Sequence, residues 1–202
     1  MLKQDIKYAL EQCEKYINTL CYENDTINDI DCSDFEFQNI SFDNCTFFNC
    51  DFSKCCFYQC SFSNCHFYDC NFYSIYFKQT NMIHCICSKN SIWIESHFKK
   101  SHFEQSSFPY ANFSNTIWEN CNIQHCNMKY AFFHKVIFKK INIQYVNFQK
   151  ADFFQTLLKG IDFSNCDINA ITVSDTYQEL QGIKINAEQS IIIAQILGAE
   201  IV

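Results

Sequence analysis

An apolar residue recurs at every fifth position over most of this chain, and few folds accept that period. The column runs Phe37, Phe42, Phe47, Phe52, Phe57, Phe62, Phe67, Phe72, Phe77, Met82, Cys87 and Ile92. One extra residue enters near Trp93–His97. The column resumes at Phe98 and continues in steps of five to Phe153, Leu158, Phe163, Ile168 and Val173. All 28 positions are apolar and 18 are Phe. A side-chain period of about 3.6 makes a helix and one of about 2 makes a flat strand, so a period of five suits neither. It suits a chain that turns a corner once per unit, with two side chains of each unit inside.

A second column lies two residues before each centre and holds small or β-branched residues. It includes Cys45, Cys50, Cys55, Cys60, Cys65 and Cys70, then Ser96, Ser101, Ser106, Ala111, Thr116, Cys121, Cys126, Ala131, Val136 and Val146. Between the columns stand Asp, Asn, Ser and Thr, as in Asp51, Asn71, Asn112, Asn147, Asp152 and Asp167. Units such as Cys50-Asp51-Phe52-Ser53-Lys54 and Ala111-Asn112-Phe113-Ser114-Asn115 resemble the pentapeptide repeat family over about residues 35–173. The resemblance implies an all-β solenoid, a right-handed quadrilateral β-helix with four units per square coil. Stacked positions are then twenty residues apart. The units would make about seven coils, roughly 34 Å long at the usual strand spacing. Cys45, Cys65 and Cys85 should form one file inside the coil.

Turns must be made without the usual residues, since the 202-residue chain has 3 Gly and 1 Pro beside 22 Phe and 15 Cys. Ladders to the coils above and below take the place of turn chemistry. Residues 1–21, with Leu2, Ile6, Ala9, Leu10, Cys13, Ile17 and Leu20, read as an amphipathic helix that covers the first coil. The expected division is a helical cap over 1–24, the β-helix over 25–175 and a C-terminal module over 176–202. Asn186 and Gln189 form a capping box at the head of a helix over about Ala187–Leu197, and Gly198 ends it. Ile191, Ile192, Ile193, Ile196 and Leu197 are too many apolar residues for one buried stripe. One face should pack on the last coil and another meet a second chain, so these five are the candidate dimer interface.

The N-terminus has no secretory apolar region and no apolar run is long enough to span a membrane, so a cytoplasmic location is expected. Ten of the 15 cysteines fall in the small inward column, where thiols act as small hydrophobes, and none has zinc-pair spacing. No catalytic order, phosphate loop or nucleotide fingerprint is present. The expectation is a chain that is not an enzyme, with no cofactor, no metal and no catalytic residues.

Formal net charge is −7, which argues against coating nucleic acid. Acidic residues crowd the early repeats, and eight lysines lie between Ser96 and Cys166. The bland reading of this asymmetry is a solvated surface. The other follows from the tail Gly182–Val202, which is similar to the C-terminal dimerisation module of the Qnr and MfpA proteins. That resemblance implies a homodimeric DNA mimic that binds DNA gyrase or topoisomerase IV and modulates it or shields it from quinolones or toxins. Glu36, Asp43, Asp51 and Asp69 are then the candidate partner-binding residues, and no direct contact with nucleic acid or membrane is implied. An interaction scaffold with no topoisomerase role remains the second reading, because fold alone does not fix function.

Overall fold

The protein is described from a computed structural model that covers residues 1–89 and 91–201. The chain winds as a parallel β-solenoid with four faces and a helix at either end. The first face is a seven-stranded parallel sheet of Tyr16–Asn18, Glu36–Gln38, Cys56–Tyr58, Tyr76–Lys78, His97–Lys99, Ile117–Glu119 and Ile137–Lys139. The second is a seven-stranded sheet from Cys21–Glu23 to Asn142–Gln144. The third begins as four strands from Thr26–Asn28 to Ile86–Cys87, then continues through single bridges at Ser107, Asn127, Asn147 and Asp167. The fourth is bridges alone, joining Asp31, Asp51, Asn71, Ile92, Asn112, Phe132, Asp152 and Thr172.

The repeat explains this architecture. Nearly all centres are buried, and the rings stack on their counterparts one coil away. Phe37 lies 4.8 Å from Phe57, Phe42 4.8 Å from Phe62, and Phe47 4.9 Å from Phe67, all nearly parallel. Rings from neighbouring faces meet edge to face, as Phe42 and Phe47 do at 5.6 Å. Such pairs contribute about 0.5–1.5 kcal/mol each beyond their buried area. The inward thiols fill the remaining space and donate to carbonyls of the previous coil. Cys45 Sγ reaches the Tyr22 carbonyl at 3.4 Å, Cys65 that of Phe42 at 3.5 Å, and Cys85 that of Phe62 at 3.3 Å. Ser96 and Ser106 make the same contact through Oγ to Phe72 and Met82. A hydroxyl and a thiol are therefore interchangeable in this column.

Corners are turned by residues at positive φ two places after most centres. Asn39 (53°), Gln59 (54°), Lys100 (52°) and Tyr130 (60°) are examples, and glycine takes this place after Leu158 as Gly160. The left-handed conformation costs a non-glycine residue roughly 1–2 kcal/mol. Most such residues gain a lateral bond in return: the amides of Asn39, Gln59 and Lys100 donate to Tyr58, Lys78 and Glu119 carbonyls at 2.8–2.9 Å. In the bridge-forming units the amide after the centre turns back to the Asp or Asn before it. Ser53 donates to Asp51 Oδ1 at 2.7 Å, Tyr73 to Asn71 at 3.0 Å and Ser114 to Asn112 at 3.0 Å. This local turn explains the Asp/Asn column. Where the position before the centre is Ser107, the residue after it is Pro109, which has no amide hydrogen to satisfy.

Three sequence expectations are corrected. Helix α1 spans Leu2–Glu11 rather than 1–21, and Tyr16–Asn18 already forms the first strand. Ile17 satisfies both the helical spacing and the five-residue column that Tyr22, Ile27 and Cys32 extend backward, and the coil wins. The α1 face of Leu2, Ile6 and Ala9 does cover the first coil, where Tyr22 donates to Asp5 Oδ2 at 2.9 Å. The register slip lies before Trp93, not after it: Asn71 already pairs with Ile92, twenty-one residues on. Trp93 is fully buried and stacks on Phe72 at 4.0 Å, while Ile92 is 42% exposed. Phe138 and Val173 are also only partly buried. The first- and second-face sheets end at Ile137–Lys139 and Asn142–Gln144, and in the next coil Leu158, Gly160 and Phe163 donate onward to Glu179, Gly182 and Lys184.

Candidate interaction surfaces

The coil interior is filled by stacked rings and small side chains, and the charged groups lie on its outer faces and ends. The four acidic candidates occupy four different places around the girth. Glu36 is on the first face, Asp43 on the second and Asp51 on the fourth, and Asp69 is at the corner after the third. They form no common patch. Asparagines of the next coil hold several of the acids of these coils. Asn49 donates to Asp29 at 2.8 Å, Asn64 to Asp43 at 3.0 Å and Asn71 to Asp51 at 3.1 Å. Among the described residues, the one ion pair to an acid of these early coils is Lys15–Asp34 at 3.5 Å. The acids are thus spread as a girdle around the early coils, and Asp29, Asp43 and Asp51 are held by asparagine amides.

At the opposite end, α2 spans Gln189–Ile196. Asn186 and Gln189 cap it as the sequence suggests, and Gly198 at φ +85° ends it, with its amide donating to the Gln195 carbonyl at 3.0 Å. Ile192, Ile193 and Ile196 pack in part against the core, whereas Ile191 is 49% and Leu197 53% exposed. Ile201 is also exposed, and Val202 of the tail lies outside the described residues. A cleft of about 470 Å³ runs beside the helix, lined by Asp167, Asn169, Asn186, Gln189, Ile191 and Ile192 among others.

All 15 cysteines are free thiols, and 12 are buried. Burial pushes Cys60 and Cys121 up to about 11 and Cys126 up to about 12. Neutral thiols of this kind pack and do not attack. Among the described residues no group of three or more His, Cys, Asp or Glu could hold a metal ion, and no helix is long and apolar enough to cross a membrane.

Two family comparisons fall on the coil. Residues 28–64 match the family described as pentapeptide repeats (8 copies), and residues 91–173 match the pentapeptide repeat region. The chain is a pentapeptide repeat protein. No curated protein matches it. Among solved structures it is similar to full-length QnrB1, a plasmid-mediated fluoroquinolone resistance protein. Identity is 18%, coverage 91% of this chain and 100% of that one, and the TM-score 0.42. It is also similar to HetL, a pentapeptide repeat protein involved in heterocyst differentiation regulation from the cyanobacterium Nostoc sp. strain PCC 7120. There identity is 7%, coverage 90% and 93%, and the TM-score 0.29. Rfr23 from the cyanobacterium Cyanothece 51142 is 10% identical over 91% of this chain and 99% of that one, with a TM-score of 0.26.

A further surface of this pentapeptide repeat protein lies on its first face. Lys78, Lys99 and Lys139 share one outward column of the first face, in register with Glu119. Taking lysines at twenty-residue intervals, with one added across the slip, would have revealed it.

Proposed function

We propose that this protein is a Qnr- and MfpA-like, non-enzymatic DNA mimic that binds DNA gyrase or topoisomerase IV in the cytoplasm as a homodimer. The observation that carries this reading is the polarity of the rod. One end presents an apolar helix edge, Ile191 and Leu197, on a helix anchored to the last coils, and the other carries the acidic girdle. Joining two chains through α2 places an acidic arm at each end of a longer rod, and an acidic rod competes for surfaces built to hold phosphates. Around a rod, charges on all faces are no obstacle, since duplex DNA also carries its charge around its axis.

The test is gyrase supercoiling with the purified protein, with and without a fluoroquinolone. Inhibition or drug protection at micromolar protein is the expected result, lost when Glu36, Asp43, Asp51 and Asp69 are reversed together to Lys. The dimer is read separately by light scattering: Ile191→Asp with Leu197→Asp should yield a monomer with an unchanged coil. A wild-type monomer would remove α2 from the argument.

One observation favours the second reading, a scaffold for a different protein partner. The acidic carboxylates are already engaged by asparagine amides, as structural acceptors would be. Absence of any effect on gyrases and topoisomerases IV from several bacteria would select it.

A further inference from the structure

We propose that the first face, from Tyr76 to Lys159, is a docking surface for an amphipathic helix of a partner protein that carries acidic residues beside an aliphatic ridge. The proposal does not rest on the topoisomerase reading, and it concerns a different part of the rod from the acidic coils.

Strand pairing sets Lys78 beside Lys99, Lys99 beside Glu119 and Glu119 beside Lys139. Lys159 continues this column by the repeat, and the adjoining corner carries Lys100 and Lys140. Six lysines and one glutamate therefore share this edge of a chain whose net charge is −7. Glu119 is drawn to Lys99 at 3.1 Å, and that contact holds its carboxyl below the usual range. His97, 3.6 Å from Glu119, is held below the ordinary imidazole range by burial and adds no charge at neutral pH.

Beside the lysines, the column before each centre changes character along the rod. It reads Tyr76, His97, Ile117, Ile137 and Leu157, and its last two members are 48% and 63% exposed. An aliphatic row next to a cationic row is amphipathic. Coils are spaced about 4.8 Å apart, so Lys78 to Lys159 spans roughly 19 Å. A helix rises about 5.4 Å per turn, so one laid along the rod offers one apolar contact to each coil, and about 13 residues cover the surface.

The chemistry chooses between acidic partners. A long duplex running along the rod would meet the acidic coils within a few coils, and the aliphatic row offers nothing to phosphates. A lipid surface would face the same acidic half. A short acidic helix uses both rows and ends before the repulsion begins.

The probe is a labelled, end-capped 18-residue peptide with leucine on one helical face and glutamate flanking it, titrated with the full-length protein by fluorescence anisotropy. Saturable binding that weakens as salt rises is expected. Lys139→Glu with Lys159→Glu should weaken it at least tenfold, and Ile137→Ser with Leu157→Ser severalfold. Lys129→Glu with Lys150→Glu, on the third face and its corner, should leave it nearly unchanged. Thermal melts confirm that each variant keeps the coil. The proposal is overturned by absence of saturable binding, or by equal loss in the third-face control, which would indicate net charge alone. Tighter binding of a 20-base-pair duplex or of phosphatidylserine vesicles through the same lysines overturns it as well.

Discussion

Asn186 and Gln189 exchange hydrogen bonds across the first turn of α2: the Asn186 amide donates to Gln189 Oε1 and the Gln189 amide to Asn186 Oδ1, both at 2.9 Å. The same Gln189 side chain reaches into the coil, where Nε2 donates to the Phe163 carbonyl at 2.9 Å and the Cys166 carbonyl at 2.7 Å. One buried residue thus caps the helix and fastens it to the rod. Asn186 Nδ2 adds a bond to the Ser164 carbonyl at 2.7 Å.

Gln189→Ala removes the cap acceptor and the Nε2 donor, which leaves the Cys166 carbonyl without a donor and the Phe163 carbonyl with the Cys166 amide alone. The expected loss is about 2–3 kcal/mol, from one cap and the unpaired Cys166 carbonyl. Gln189→Glu keeps the cap acceptor but loses both donors, so it should be at least as damaging as alanine. Urea unfolding measures the loss, and hydrogen exchange of residues 190–197 should quicken in both variants. A stable Gln189→Glu protein would mean that the contacts to Phe163 and Cys166 contribute nothing.

The register after the slip can be tested with two neighbouring residues. Trp93 lies between Phe72 at 4.0 Å and Phe113 at 5.8 Å and is fully buried. Trp93→Ala should cost about 3–5 kcal/mol, as large-to-small changes in packed cores do. Ile92→Ala, on the outer face, should cost less than about 1 kcal/mol. Comparable losses from the two would mean that the column runs through Ile92.

What the sequence discloses depends on whether one residue serves one period. The phenylalanine column has no helical alternative, so the fold and the inward cysteines are legible from it. Ile17 serves two periods, and α1 is overextended for that reason. Ile92 and Trp93 are both apolar, so the centre column alone cannot place the slip. The column of small residues can, because Ser91 precedes Trp93 by two, as Ser96 precedes Phe98. The acidic residues look like a cluster along the chain, yet sequence neighbours five apart lie on successive faces. Glu36, Asp43, Asp51 and Asp69 are not separated by multiples of twenty and end up around the girth, whereas Lys99 and Lys139 are so separated and align.

The positive-φ corners make a prediction about exposed residues that touch little. Gln79 sits at φ 55°, and its amide donates to the Lys99 carbonyl at 2.9 Å. Gln79→Gly removes the left-handed strain but loosens the unfolded chain, so the net change should stay within about 1 kcal/mol. Gln79→Ile places a β-branched side chain in the same conformation and should destabilise by about 1–2 kcal/mol. In an ordinary exposed strand the order would be reversed, with isoleucine favoured and glycine disfavoured. Chemical denaturation of the two variants therefore reads the backbone conformation directly.

The thiols make the last prediction. In the native protein a disulfide reagent should label Cys13 and Cys21 readily and Cys56 more slowly, and the 12 buried cysteines only on unfolding. The same burial sets an alkaline limit on stability. Cys60 and Cys121 are pushed up to about 11 and Cys126 up to about 12, against about 8.5 for a thiol in the unfolded chain. Below about pH 8.5 each thiol is protonated in both states, and the stability it contributes is fully present. Above that value the unfolded chain releases protons that the folded chain retains, so stability falls until the folded thiols themselves ionise. The slope is about 1.4 kcal/mol per pH unit for each such thiol. The urea midpoint should hold steady from pH 7 to 8 and drop steeply from pH 9 to 11. Cys60→Ser keeps the packing that Ser96 and Ser106 show to be allowed, and it should flatten the fall by one thiol. A midpoint independent of pH up to 11 would mean that these thiols ionise as freely in the coil as in water.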